Sequence, residues 1–179
     1  LTVAGERFED YRCEGCGMAW SDYGREHLAP AARSIAPRWR DLVTGIDDTV
    51  LGTSPSADAA DGRTWSAKEY GWHLGSVLDY MAAALERMAG ENDVQLDYYA
   101  HEQDVADAEP NRRDLDEITT RIDRGSSRLA AVLASVDLDE WDHEADFPWG
   151  RRDLMDMARN AIHEGEHHLD DVEQVIGTR

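Results

Sequence analysis

The sequence predicts an all-α protein, an up-down-down-up four-helix bundle with a short N-terminal CxxC extension. Three observations predict it. Apolar residues recur at helical spacing after the first 25 residues. No stretch shows sustained strand alternation between hairpin turns. A connection of about 21 residues, Glu91 to Asn111, is too long for adjacent antiparallel helices and suits a crossover.

The first helix is expected from Glu26 to Leu51, its continuous part from Pro37 to Val50, because proline is tolerated in a first turn and breaks an interior. Residues Gly52 to Thr64 read as a polar loop. Ser66-Ala67-Lys68-Glu69 then forms a capping box, in which Ser66 and Glu69 satisfy each other's backbone N–H groups, and opens a second helix reaching about Ala89. A third runs from about Asp114 to Val136 on Leu115, Ile118, Ile122, Leu129, Val132 and Leu133, with Gly125 weakening its middle. After a loop from Asp137 to Gly150, whose Trp141, Phe147 and Trp149 read as a hydrophobic plug at the bundle end away from the candidate site, a last helix runs from about Arg151 to Ile176. Residues 1–25 are thus an extension and 26–179 the bundle.

The chain has 179 residues and 20.1 kDa, 41% of them hydrophobic, which suits one domain with a real core. Eighteen Lys and Arg against 38 Asp and Glu give a net charge of -20, which repels nucleic-acid phosphates and anionic lipid surfaces. No apolar run approaches the length needed to span a bilayer, and no basic-then-apolar signal pattern opens the chain, so a cytoplasmic location is expected.

The chemistry concentrates in Ala161 to Val172, which holds three of the seven histidines and four carboxylates. A literal H-E-x-x-H, His163 to His167, is the pattern in which zincins hold zinc and keep a glutamate as base. On a helical wheel those two histidines fall roughly 160° from the centre of the apolar stripe and are expected to face solvent. Glu164 and His168, also four apart, fall only about 100° and 60° from it, with Asp171 one turn on. A carboxylate and an imidazole at the edge of a core are costly unless paired or metal-bound. His73, on the edge of the second helix's apolar stripe, is the partner the topology offers, since antiparallel packing of the second and fourth helices brings those ends together. Two histidines and a glutamate leave an open position, the pattern of a catalytic zinc site.

At these residues the sequence resembles the DinB/YfiT-like superfamily of helical metal-dependent proteins. Trp65 to Leu74, with its Trp-Ser start and His73, resembles the superfamily's second-helix motif. His163-Glu164 through His168 to Asp171 resembles the last-helix motif of actinobacterial members, including the mycothiol-dependent maleylpyruvate isomerase branch. The resemblance, over roughly Pro37 to Ile176, implies the ligands His73, Glu164 and His168, with His163 and His167 as second choice for the latter two. It implies a divalent metal, zinc or nickel, and in several members transfer or isomerisation with a low-molecular-weight thiol. A metal-bound thiolate is a nucleophile at neutral pH, and metal-activated water is the competing one. Asp171 is read as orienting a ligand imidazole or acting as a catalytic base, with a solvated aspartate as the plain alternative.

Outside that resemblance, Arg12-Cys13-Glu14-Gly15-Cys16-Gly17 has the C-x-x-C-G form of a zinc knuckle. Only half a closed site is present, and His27 is the nearest histidine to complete it, with carboxylates or another subunit as other sources. A second, structural zinc on Cys13 and Cys16, a redox dithiol or disulfide, and two plain reduced thiols all stay open. The expectation is a metal-dependent thiol (mycothiol-type) S-transferase or thiol-dependent isomerase, whose partners are a thiol and a small-molecule electrophile, with a homodimer possible. A non-catalytic metal-binding or stress-related bundle and a metal-water hydrolase are the alternatives.

Overall fold

In the computed structural model, which describes residues 11–55 and 64–177, four long helices build the bundle: α1 (Arg25–Val43), α3 (Ala67–Gly90), α5 (Leu115–Ser135) and α6 (Leu154–Gly177). Two short helices, α2 (Asp48–Leu51) and α4 (His101–Ala108), and three strands, β1 (Val94–Gln95), β2 (Glu144–Phe147) and β3 (Gly150–Asp153), lie in the connections. Part of the Gly52 to Thr64 loop, residues 56–63, falls outside the described residues.

The capping box forms. Ser66 Oγ accepts from the Glu69 N–H at 3.1 Å and the Ser66 N–H donates to Glu69 Oε2 at 2.7 Å, which fixes the start of α3. Helix α1 departs from expectation, because both Pro30 and Pro37 lie inside it. The carbonyls they leave unbonded, on Glu26 and Arg33, belong to the exposed face, while Leu28, Ala32, Ile35 and Trp39 are buried on the other. Packing therefore holds the helix through both prolines. It ends at Val43 rather than Leu51: the chain turns at Gly45 (φ 78°), and Asp47 starts α2 by accepting from the Thr49 N–H at 2.9 Å.

The registers between helices give the topology. Thr119 on α5 accepts from Trp39 Nε1 at 3.0 Å, and Ser126, one turn or more further on, donates to the carbonyl of Ala32, so α1 and α5 are antiparallel. Arg128 of α5 reaches Asp79 and Glu86 of α3, while the start of α5 meets the start of α3, so these two are parallel. Tyr23 and Arg38 pair with Arg159 and Glu166, so α6 runs with α1. The order is up-down-down-up, with α1 and α3 on opposite corners.

Where α3 and α5 cross, glycine is needed for its size. A Cβ on Gly125 would lie 2.9 Å from the Gly75 carbonyl oxygen, and one on Gly75 only 2.7 Å from Arg121 Cγ. Gly125 thus costs helix propensity yet lets two backbones touch. Gly125→Val is expected to lower stability by about 1–3 kcal/mol through forced separation of the helices; an unchanged melting temperature would refute this close-packing account.

The crossover from Glu91 to Asn111 carries structure that periodicity did not reveal. β1 pairs in parallel with β2, and β2 pairs antiparallel with β3, Phe147 opposite Gly150. This small sheet corrects the expectation of no hairpin and moves the start of the last helix from Arg151 to Leu154. Strands of two and four residues are too short for alternation to stand out. Trp141 and Phe147 are buried, as a plug requires, whereas Trp149 is partly exposed against Tyr98, with ring centroids 6.2 Å apart.

Candidate metal centre

Antiparallel packing of α3 and α6 brings His73, Glu164 and His168 together, one ligand-type atom from each within 4.8 Å of the others. Glu164 Oε2 lies 3.3 Å from His168 Nε2 and 3.8 Å from His73 Nε2, and the two imidazole planes meet edge to face at 4.6 Å. Spacing of four on α6 stacks Glu164 under His168. His73 is 4% exposed, and its Nδ1 is buried with no hydrogen-bond partner. A buried imidazole with an unsatisfied nitrogen, beside a second imidazole and a carboxylate, fits a divalent cation, which draws on just these neutral nitrogen and anionic oxygen donors.

Asp171 is 7% exposed, so the solvated reading fails. Its Oδ2 sits 3.0 Å from His168 Nδ1 and fixes that ring's tautomer, leaving Nε2 toward Glu164. Asp171 therefore stands on the Nδ1 side of His168, opposite the ring nitrogen that faces Glu164, as the orienting alternative requires.

The charges are coupled. Burial alone would raise the Glu164 carboxyl, but hydrogen bonds from His168 and His73 outweigh it and hold it well below the usual carboxylate range. Burial would likewise lower His168, but Asp171 and Glu164 lift it to about 9. Burial, with the nearby imidazoles of His168 and His101, lowers His73. In the metal-free protein His168 is thus protonated at neutral pH. Its raised value adds stability that is complete below its ordinary 6.5 and fades as pH rises through about 9. If His168 holds a metal, that proton is displaced, and apparent affinity should then rise about tenfold per pH unit up to about pH 9, with one proton released per metal bound. Calorimetric titration in buffers of different ionisation enthalpy checks this; a buffer-independent heat would contradict it.

The surroundings were not legible beforehand. Trp65 lies 5.3 Å from the His73 ring, Tyr70 5.7 Å from that of His168, and the crossover supplies Tyr99 at 6.3 Å and His101 at 5.4 Å from His73. Asp104 of α4 anchors this wall: its Oδ2 accepts from Trp72 Nε1 at 3.1 Å, Ser76 Oγ at 2.7 Å and the Tyr99 hydroxyl at 2.8 Å. Burial first, and then Asp104, push the Tyr99 phenol upward, so it stays neutral. The available signal was the Tyr98-Tyr99-Ala100-His101 run inside an acidic connection.

His163 and His167 do not join this centre and do not face solvent. They are half-buried under the N-terminal extension, where each offers a ligand-type atom within 4.8 Å of those of Cys13 and Cys16. The wheel placed them correctly relative to the bundle core, but residues 11–24 cover the face that it left open. His27 is elsewhere: on the first turn of α1, its Nδ1 accepts from the Gly24 N–H at 3.2 Å. Both cysteines are free thiols.

Fold and site together define a helical bundle with a two-histidine, one-glutamate donor set at one end of its core. The chain belongs to the DinB superfamily, whose family model matches residues 33–172. Its fold is similar to that of YfiT from Bacillus subtilis, described as a probable metal-dependent hydrolase with an unusual four-helix bundle topology (TM-score 0.75, 12% identity, 84% of this chain and 85% of that one). It is also similar to the mycothiol-dependent maleylpyruvate isomerase (TM-score 0.62, 17% identity, 89% of this chain and 68% of that one). No protein of curated function matches the chain by sequence. Among the described residues no helix is long and apolar enough to cross a membrane.

Proposed function

We propose that this protein is a metal-dependent thiol S-transferase or thiol-dependent isomerase, with mycothiol-type thiols as the co-substrate class. His73, Glu164 and His168 would hold the metal, zinc or nickel, and Asp171 would keep the His168 ring in position. A divalent ion bound there supplies Lewis acidity and lowers the pKa of a thiol or water at its open position.

One observation favours the thiol. Three carboxylates at or near the donor set are already engaged: Glu164 within it, Asp171 on His168, and Asp104 on three donors. None of these three is free to take a proton from attacking water, which leaves that task to His101 among the described residues. A thiol is far more acidic than water and would lose its proton more readily on meeting a metal there, so it depends less on such a base. Trp65, Tyr70 and Tyr99 give a largely apolar wall that limits water and can pack against an electrophile. His101, half-buried on α4 and outside the donor set, can deliver a proton to the leaving group as the new S–C bond forms.

The hydrolase reading keeps one specific support, since His101 could equally serve water as a base. The two are separated by assaying metal-loaded protein on a thiol plus a chromogenic electrophile, and on an activated ester without thiol. Thiol-dependent conversion of the electrophile, with the thiol consumed in a transfer or regenerated in an isomerisation, and lost in His101→Ala, is the expected result. Ester turnover without thiol would establish the hydrolase instead, and stoichiometric metal with neither product would leave a binding protein.

A further inference from the structure

The knuckle and the H-E-x-x-H pair, each half a motif in the sequence, are brought together by the fold. We propose that Cys13, Cys16, His163 and His167 form a second, closed zinc site, distinct from the bundle centre, that fastens the N-terminal extension to α6 and adjoins that centre at Asp171.

The geometry carries this. The four ligand-type atoms lie within 4.8 Å of one another, and Cys13 Sγ is 3.6 Å from His167 Nδ1. In a tetrahedral zinc site with Zn–S of about 2.3 Å and Zn–N of about 2.0–2.1 Å, neighbouring ligand atoms are roughly 3.3–3.8 Å apart. His163 Nε2 is buried without a hydrogen-bond partner, the mark of a donor whose acceptor is an ion.

The local chain is shaped for the purpose. Gly17 (φ 73°) closes the turn, its N–H donating to the Cys13 carbonyl at 2.9 Å, and the Cys13 N–H donates to Met18 at 2.9 Å. A Cβ on Gly15 would come 2.8 Å from His167 Cε1, so a side chain there would have to displace the imidazole beside the knuckle. The Tyr11 ring packs edge-on against His163, 5.7 Å between centroids, and Trp20 anchors the extension in the core. Two sulfurs and two nitrogens select zinc among common divalent ions, and with all four positions filled by protein the role is structural.

The site also touches the other centre. Asp171 Oδ2 is 3.0 Å from His168 Nδ1 and 3.7 Å from His167 Nε2. One carboxylate therefore hydrogen-bonds the His168 imidazole and lies within ion-pair distance of the His167 ring, so the two sites adjoin at Asp171. This last clause rests on reading His168 as a bundle-site ligand; the Cys2His2 site does not.

The test uses the full chain loaded with zinc or cobalt(II). Wild type should bind one more zinc equivalent than Cys13→Ser/Cys16→Ser, and its cobalt form should show a thiolate-to-cobalt charge-transfer band, absent in that variant and retained in Glu164→Gln/His168→Ala. Because the serine variant could misfold, thiol labelling of folded wild type is the second measurement: both cysteines should be protected with zinc and react after chelation. A band surviving in the serine variant, thiols equally reactive with and without zinc, or a Cys13–Cys16 disulfide in the zinc-loaded protein would overturn the proposal. Loss of metal only in Glu164→Gln/His168→Ala would overturn it while leaving the bundle centre standing.

Discussion

His73→Ala should abolish metal binding at the bundle centre while leaving helicity nearly unchanged. The residue is one of three donors, and losing even an outer partner of a ligand costs about 10–100-fold in affinity, so losing a donor itself should cost more than about 100-fold. Thiol-transfer activity should fall to background with it. The fold should survive, because the ring stands at the edge of the core beside Trp65 and Tyr99, and the cost of the lost packing is about 1–2 kcal/mol. Elemental analysis with circular dichroism reads both outcomes. Unchanged bundle metal in a folded variant would sink the assignment of His73.

Asp104→Ala should be the most destabilising single substitution in the crossover. It removes the one acceptor shared by Trp72 Nε1, Ser76 Oγ and the Tyr99 hydroxyl, and Ser76 in turn accepts from Arg121 of α5. Stranding several partly buried donors costs of order 3 kcal/mol. Tyr99 and His101 would lose their tether, so kcat should fall as the proton donor is misplaced, with KM for the electrophile rising alongside. A thermal melt within a degree or so of wild type would show that the network is not what docks α4.

These expectations follow from side chains that were unequally legible. The capping box at Ser66 and the four helical stripes could be read because propensity, spacing and burial agree there. Glu164, His168 and His73 could be read because wheel angle and topology converge on one end of the bundle. The prolines misled because a rule about isolated helices was overruled by the buried face of α1. His101 and Tyr99 stayed hidden, since a short helix in an acidic connection has no periodicity to report. His163 and His167 were misjudged for a different reason: the wheel knows only the core it is drawn against, and the extension supplies a second surface.

The parallel arrangement of α3 and α5 has a consequence for how this chain reaches its native state. The Gly75 and Gly125 backbones touch only after the segment between them has travelled the length of the bundle and returned, whereas a simple up-and-down bundle can zip neighbouring helices through short turns. Closure therefore requires distant parts of the sequence to find one another early, raising contact order and the entropy lost before packing repays it. This protein should fold more slowly than up-down-up-down bundles of its size, with docking of the crossover as the step that sets the rate.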